Sequence, residues 1–320
     1  MAGDLGGLRP PMLAYILKRL LWTPILLLLA AFFVFFMGTV APGDPAELQL
    51  KNRATPERIE RLRERLGLND PLPVRYVRFI GNALQGDLGE SYTYLGKPVT
   101  SLIGPRLWVS VQLNIVAAAI ALTIGLPLGF YAAKRQGTNR DPAVVISMLV
   151  LYAMPVFFTA PLLILFFAVQ LHWVPAAGWG GMFSTQIILP AITIGIPGAA
   201  IFVRHMRAST LEVIGQEYVR TAYAKGMSNY VVNYRHVARN ALLPILTLLG
   251  FTMAGILGGS LIVELIYGIP GVSRLALDAI FQRDFPVMTA FVLIGAVMLV
   301  LANLVIDIAY TVIDPRIRLN

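Results

Sequence analysis

Long apolar runs separated by short charged loops set the pattern of this chain. The first runs from Leu13 to Val40, and others follow at Arg106–Ala133, Pro142–Leu171, Ile187–Phe202, Ala241–Ile266 and Val287–Ile313. Several approach or exceed the roughly 20 apolar residues that a helix needs to cross a hydrocarbon layer. The apolar positions are continuous rather than alternating, which predicts helices and not a barrel. The expected fold is all-α with six transmembrane helices. The first run is too long for the core of a cleavable signal, and no small-x-small site follows it, so it is read as an uncut anchor.

Composition narrows the class further. Of 320 residues, 57% are hydrophobic and 13% charged, which excludes an ordinary soluble domain. The net charge of +9 reads as membrane topology rather than nucleic-acid binding. Cationic residues gather in short segments: Arg9, Lys18 and Arg19; Lys134, Arg135 and Arg140; Arg204, Arg207, Arg220, Lys225, Arg235 and Arg239; Arg316 and Arg318. With six spans these all fall on one side, the cytoplasmic one, and both termini lie there, in a multi-pass protein of the cytoplasmic (inner) membrane. The segment His172–Gln186 carries no Lys or Arg. There are no cysteines, and the three histidines are too dispersed for a metal site by spacing.

Three regions follow from this: 1–40, tail and first span; 41–105, an external subdomain; and 106–320, a five-helix core with a loop at 204–240. In the external segment Thr55-Pro56-Glu57 reads as a helix start and Gly67 as its end, with Ile59, Leu62 and Leu66 on one face. A second short helix, Arg75–Leu84, turns Tyr76, Phe79, Ile80 and Ala83 inward. A third is expected at Val272–Phe281 in the external loop 267–286.

Between the fourth and fifth runs lies QEYVRTAYAKGMSNYVVNYRHVARNALLP, a basic insert broken by Gly226. Tyr218, Val219, Ala222 and Tyr223 share a stripe, with Glu217, Arg220, Thr221 and Lys225 opposite. Gly226 suits a left-handed turn, and Ser228 or Asn229 a cap for a second helix toward Asn240. Two readings stand open on physics: a docking element for a soluble partner, or a lipid-facing amphipathic loop.

EYVRTAYAKG followed by RHVARNALLP resembles the cytoplasmic loop of binding-protein-dependent ABC importer permeases, in the branch serving dipeptides, oligopeptides and nickel. RLRERLGLNDPLPVRYVRFI is similar to the external segment of its B-type subunit, and LGGSLIVELIYGIPGVSRLALDAIFQRDFPVM and the terminal IDIAYTVIDPRIR also resemble the family. The loop departs from the family's general Glu-Ala-Ala pattern at Arg220, Thr221 and Ala222. The resemblance implies a coupling helix whose ATPase-contacting residues are Glu217, Tyr218, Arg220, Thr221, Ala222, Lys225, Gly226 and Met227. It implies a heterodimer with a second, similar permease, two cytoplasmic ATPase subunits that use ATP and Mg, an external substrate-binding protein, and surrounding membrane lipid. Peptides are the implied cargo; nickel chelates, glutathione and oligosaccharides are handled by related systems.

The chain has no G-x-x-x-x-G-K-[ST] phosphate loop, no HExxH and no G-x-S-x-G, so no catalytic residues are assigned and no cofactor is expected on it. An ion-coupled secondary transporter would need intramembrane acidic or histidine relays, which are sparse. Polar residues in the apolar runs are Gln112, Asn114, Asn303, Asp307 and, near the outer end of the fifth, Glu264. Glu264 with Arg274, Asp278, Arg283 and Asp284 forms a candidate pathway or gate group. Glu264 is placed either to attract a peptide amino terminus or to bridge Arg274 or Arg283; Asp307 reads as structural, near Arg316. The pairs Gly125/Gly129 and Gly255/Gly259 read as close helix packing.

Overall fold

The computed structural model describes residues 10–40, 43–50, 54–256 and 259–313. Arg9, Arg316 and Arg318, and the side chains of Lys18, Arg19 and Asp307, lie outside the described residues. The described chain is helical, with an isolated antiparallel bridge between Glu90 and Pro98. It divides into two compact units, Met1–Arg106 with Leu275–Asn320, and Leu107–Arg274. Among the described residues, four helices are long and apolar enough to cross a membrane: Leu21–Val40, Val99–Lys134, Thr185–Ile214 and Phe285–Leu304.

In the first unit α1 (Pro10–Val40) packs along α15 (Phe285–Ile313). Three short helices follow α1: α2 (Pro45–Leu50), α3 (Pro56–Leu66) and α4 (Leu72–Leu84). Helix α3 begins and ends where its sequence indicates. Thr55 is the extended N-cap, Pro56 opens the helix, and Gly67 closes it at φ +63°. The Gly67 amide donates to the Glu64 carbonyl and the Leu68 amide to that of Arg63, the two bonds of a Schellman end. In α4 the residues Tyr76, Phe79, Ile80 and Ala83 are half-buried while Val74, Val77 and Leu84 are exposed, the face its periodicity predicts. Tyr76 donates to the Leu28 carbonyl at 2.7 Å, and its ring meets Phe32 and Phe35, which fastens α4 to α1.

Asp284, at the start of α15, is buried and organises the turn 91–94 of the same unit. It accepts from the Ser91 hydroxyl, and from the amides of Tyr92 and Thr93 at 3.1 Å each. Burial first, and the Asp284 carboxylate second, push the neighbouring Tyr92 phenol up to about 12. A raised acid holds its proton more tightly folded than unfolded. Its contribution is therefore intact below the ordinary tyrosine value of 10.0 and is lost as pH climbs toward about 12. Phenolate difference absorbance during alkaline titration is expected to show one tyrosine ionising last, and Tyr92→Phe removes it. An unchanged titration in the variant would place the late group elsewhere.

In the second unit α5 (Val99–Lys134, which begins in the first) lies against α8 (Ile188–Ile214). The contact is made through glycine. A Cβ on Gly125 would sit 2.8 Å from the Ala199 carbonyl oxygen, and one on Gly129 2.6 Å from that of Val203. Gly195 meets the Ala117 carbonyl in the same way, at 2.7 Å. Close packing thus holds for Gly125/Gly129. Helix packing does not hold for Gly255/Gly259: nothing lies within 4 Å of a Cβ on Gly255, and Gly259, outside the helix at φ +70°, is pressed instead onto the side chains of Ser273 and Glu264.

Two expected spans are not continuous. The third divides into α6 (Arg140–Ala153) and α7 (Val156–Leu163), the latter running on as a π-helical turn Ile164–Gln170, with a 96° bend between the halves. The break falls at Pro155: the ring disfavours helical geometry at the preceding residue, and Met154 is extended at ψ 123°. The fifth run is seen as α12 (Leu243–Ile256) and α13 (Leu261–Ile266). The fourth, conversely, runs past Phe202 to Ile214, so Arg204 and Arg207 are helical rather than in a loop. Arg207 there grips Asp141 on α6 in a two-pronged ion pair of 2.5 and 2.6 Å.

Candidate functional site

The insert after α8 folds as two helical pieces. Helix α9 spans Glu217–Ala224, and a second stretch comprises α10 (Asn229–Val231), a π-helical turn Val232–Ala238 and α11 (Arg239–Ala241). Gly226 divides them at φ +74°. Its amide donates to the Tyr223 carbonyl at 2.9 Å and the Met227 amide to Ala222 at 3.3 Å, again a Schellman end. The Ser228 hydroxyl accepts from the Val231 amide at 3.5 Å and caps the second piece.

One face of the insert is held firmly. Val219, Ala222, Val232 and Val237 are buried together, packed against Phe130 of α5 and Val213 and Ile214 of α8. Ser209 donates to the Ala241 carbonyl at 2.9 Å, and Lys134 to the Asn233 side chain at 2.8 Å. The opposite face is open. Glu217, Arg220, Thr221, Lys225, Gly226 and Met227 are exposed, and so are Tyr218 and Tyr223. This corrects the expected stripe: only its two middle members, Val219 and Ala222, are buried. The tyrosines flank them, and with Tyr230 and Tyr234, whose rings are 4.7 Å apart, they give the open face an aromatic character. Large aromatic groups beside cations are a composition shared by protein-binding surfaces and by membrane-interface helices.

The residues grouped as a pathway or gate are distributed differently from one another. Glu264, on α13, is fully buried. It accepts from the Ser110 hydroxyl at 2.6 Å and from the Arg274 backbone amide at 2.9 Å. Ser110 in turn accepts from the Val272 amide at 2.9 Å. The carboxylate therefore satisfies the amino end of α14 (Val272–Gln282) and ties it to α5; it meets Arg274 through the backbone, not through the guanidinium. Gly271 is pressed onto it, since a Cβ there would sit 2.2 Å from the carboxyl carbon. Asp284 serves the 91–94 turn of the other unit, Asp278 is half-buried and Arg283 is exposed at φ +54°. Two functional elements have no signal in the linear pattern. Ser110 lies 154 residues from Glu264, and Asp141 lies 66 from Arg207. A carboxylate opening an apolar helix, and an arginine continuing one, were the available hints.

Comparison with known proteins agrees with this architecture. The sequence profile of the "Binding-protein-dependent transport system inner membrane component" family matches residues 125–319, and that of the membrane component's N-terminal region matches 12–104. The chain is 37% identical over 310 residues to the probable peptide ABC transporter permease protein y4tP of Sinorhizobium fredii, covering 95% of this chain and 99% of that one. It is 37% identical to the oligopeptide transport system permease protein AppB of Bacillus subtilis, covering 96% and 100%. To OppB of Haemophilus influenzae it is 35% identical, again covering 96% and 100%. Among solved structures, an inward-facing MetNI methionine ABC transporter aligns with TM-score 0.55 at 17% identity, over 67% of this chain and 97% of that one. An amino acid ABC transporter crystallised with histidines aligns at 0.51 and 19%, over 67% and 95%. These two likenesses speak to the fold. With the profile spanning residues 125–319 and relatives alike over nearly the whole length, the chain belongs to the family of binding-protein-dependent transport system inner membrane components.

Proposed function

We infer that this chain forms half of the translocation pathway of an ATP-driven importer of di- and oligopeptides. The family is one of membrane permeases working with ATPase and substrate-binding partners, not of enzymes. The finer assembly is our reading: a second homologous permease beside this one, two ATPase subunits on the inner face, and a binding protein docking on 41–105 and 267–286. Peptide cargo is supported by the names of the relatives from Sinorhizobium, Bacillus and Haemophilus. Nickel chelates, glutathione and oligosaccharides are the alternative cargoes of the same machine.

The observation that carries the mechanism is the insert, with one face clamped and the other free. ATP and Mg belong to the partner subunits, whose closure pushes on Glu217–Met227. The buried valines pass the displacement to the inner ends of α5 and α8, and the Asp141–Arg207 pair carries α6 along with α8. Access then alternates between the two sides. Side chains of this chain make or break no covalent bond. The test is purification of the tagged chain from its own membranes. Nucleotide-hydrolysing subunits and a second permease are expected to accompany it, and proteoliposomes of the complex to take up peptide only with ATP and binding protein. Peptide uptake by the chain alone would end this reading.

A further inference from the structure

A cavity of about 700 Å³ opens in the first unit, and its lining mixes three kinds of surface. Phe35 of α1 and Phe285 of α15 contribute apolar faces from the membrane helices themselves; Phe79 adds another from α4. Arg65, Arg75 and Arg78 supply cations, and Glu64, Asp70, Asp87 and Glu90 carboxylates. Some of these charges already have partners. Arg78 pairs with Asp70 at 2.6 Å, and Asp87 accepts from the Gly89 amide at 2.9 Å. Arg65 too has no ion pair among the described residues but is exposed, so the cation set apart by burial is Arg75. It is half-buried, its guanidinium carbon lies 6.0 Å from the Phe35 ring centre, and among the described residues no carboxylate is within ion-pair reach of it. Glu90 is an exposed carboxylate in the same lining, also without an ion pair among the described residues.

A half-desolvated guanidinium without a counter-ion is unfavourable unless a ligand supplies an anion. Its flat fork is suited to two oxygens of a phosphate. The location says which phosphate. Gly38 and Thr39 at the end of the apolar run of α1, and Phe285 and Pro286 at the beginning of α15, border the cavity. That is the level where hydrocarbon gives way to headgroups. Exposed apolar positions, Met37 on α1 and Val292 on α15, continue from it along the helices. A free peptide is also zwitterionic, but it has no use for this apolar exit. We propose that the cavity holds the phosphoethanolamine headgroup of a phospholipid from the leaflet on this side, with phosphate against Arg75, ammonium against Glu90, and acyl chains running down α1 and α15. Ethanolamine is favoured over choline because a carboxylate accepts from N–H groups, which a quaternary amine lacks. The site stands apart from the transport reading and does not depend on it.

The experiment is lipid analysis by native mass spectrometry of the full complex, reconstituted in bilayers of equal phosphatidylethanolamine, phosphatidylcholine and phosphatidylglycerol. Selective retention of phosphatidylethanolamine is expected, and Arg75→Gln is expected to lower it on the order of tenfold. Arg75→Lys should restore part of it, which shows that the loss is one of charge and not of folding. Glu90→Gln should erase the preference over phosphatidylcholine while phospholipid is still held. Arg61→Gln, on the exposed pair with Glu57, should change nothing. Equal retention of all three lipids by the unaltered complex, or retention indifferent to Arg75→Gln, would overturn the proposal. Binding of free O-phosphoethanolamine as tight as that of the lipid would overturn the membrane as its source.

Discussion

Gly226→Val is expected to uncouple ATP hydrolysis from uptake while leaving the chain folded and inserted. A Cβ at Gly226 meets nothing within 4 Å, so the substitution has no steric effect on neighbours. The whole effect resides in the backbone. At φ +74° a β-branched residue is strained by roughly 1–2 kcal/mol, and the Schellman end that sets the angle between α9 and the second helical piece relaxes to escape it. Uptake should fall on the order of tenfold, the rate equivalent of that strain, with hydrolysis continuing. Gly226→Asn, which tolerates the left-handed region, should keep most of the uptake. Both rates are read side by side in proteoliposomes. Normal uptake by the valine variant, or equal damage from asparagine, would remove Gly226 from the coupling path.

The largest loss of stability is expected at Glu264. Removing the carboxylate in Glu264→Ala takes away the acceptor of the Arg274 amide and its bond with the buried Ser110 hydroxyl, at about 1–3 kcal/mol in all. Gly271→Ala attacks the same contact from the other side, because its new methyl falls 2.2 Å from the carboxyl carbon and the backbone of the loop cannot yield cheaply. The two changes share one contact and should not add. In the Glu264→Ala background the penalty of Gly271→Ala should largely disappear, leaving a coupling of about 1–3 kcal/mol in a double-mutant cycle of apparent thermal stabilities. Additive losses, within a few tenths of a kcal/mol, would show that the glycine and the glutamate act separately. The assignment also changes what Glu264 is for. Expected either to attract a peptide amino terminus or to bridge Arg274 or Arg283, Glu264 is enclosed and its carboxylate meets the Arg274 backbone amide at the amino end of α14.

Local features were readable where one short stretch of sequence decides them. Thr55-Pro56 and Gly67 delimit α3, Gly226 delimits α9, and the inward face of α4 follows from Tyr76, Phe79, Ile80 and Ala83. What escaped depends on partners distant in sequence or on a choice between near-equal outcomes. Pro155 in an apolar run permits either a kink in one span or a break, and only packing of α7 against α8 and α13 selects the 96° break. The stripe on α9 was drawn too wide, because tyrosine is apolar enough to join a buried face and polar enough to leave it. Ser110, Asp141 and Arg207 look ordinary in the linear chain, and acquire meaning only when α5, α6 and α8 come together. The spacing of Gly125 and Gly129 was legible, yet the same spacing at Gly255 and Gly259 produced a different outcome, since Gly259 falls beyond the end of α12.

The right-angled corner at Pro155 has a mechanical consequence. Its limbs, Arg140–Ala153 and Val156–Gln170, are each shorter than the ~20 residues that span a bilayer. Both limbs lean on α8, and the second also on α13. The corner is therefore braced by its neighbours rather than by its own length, and any tilt of α8 has to carry both limbs with it.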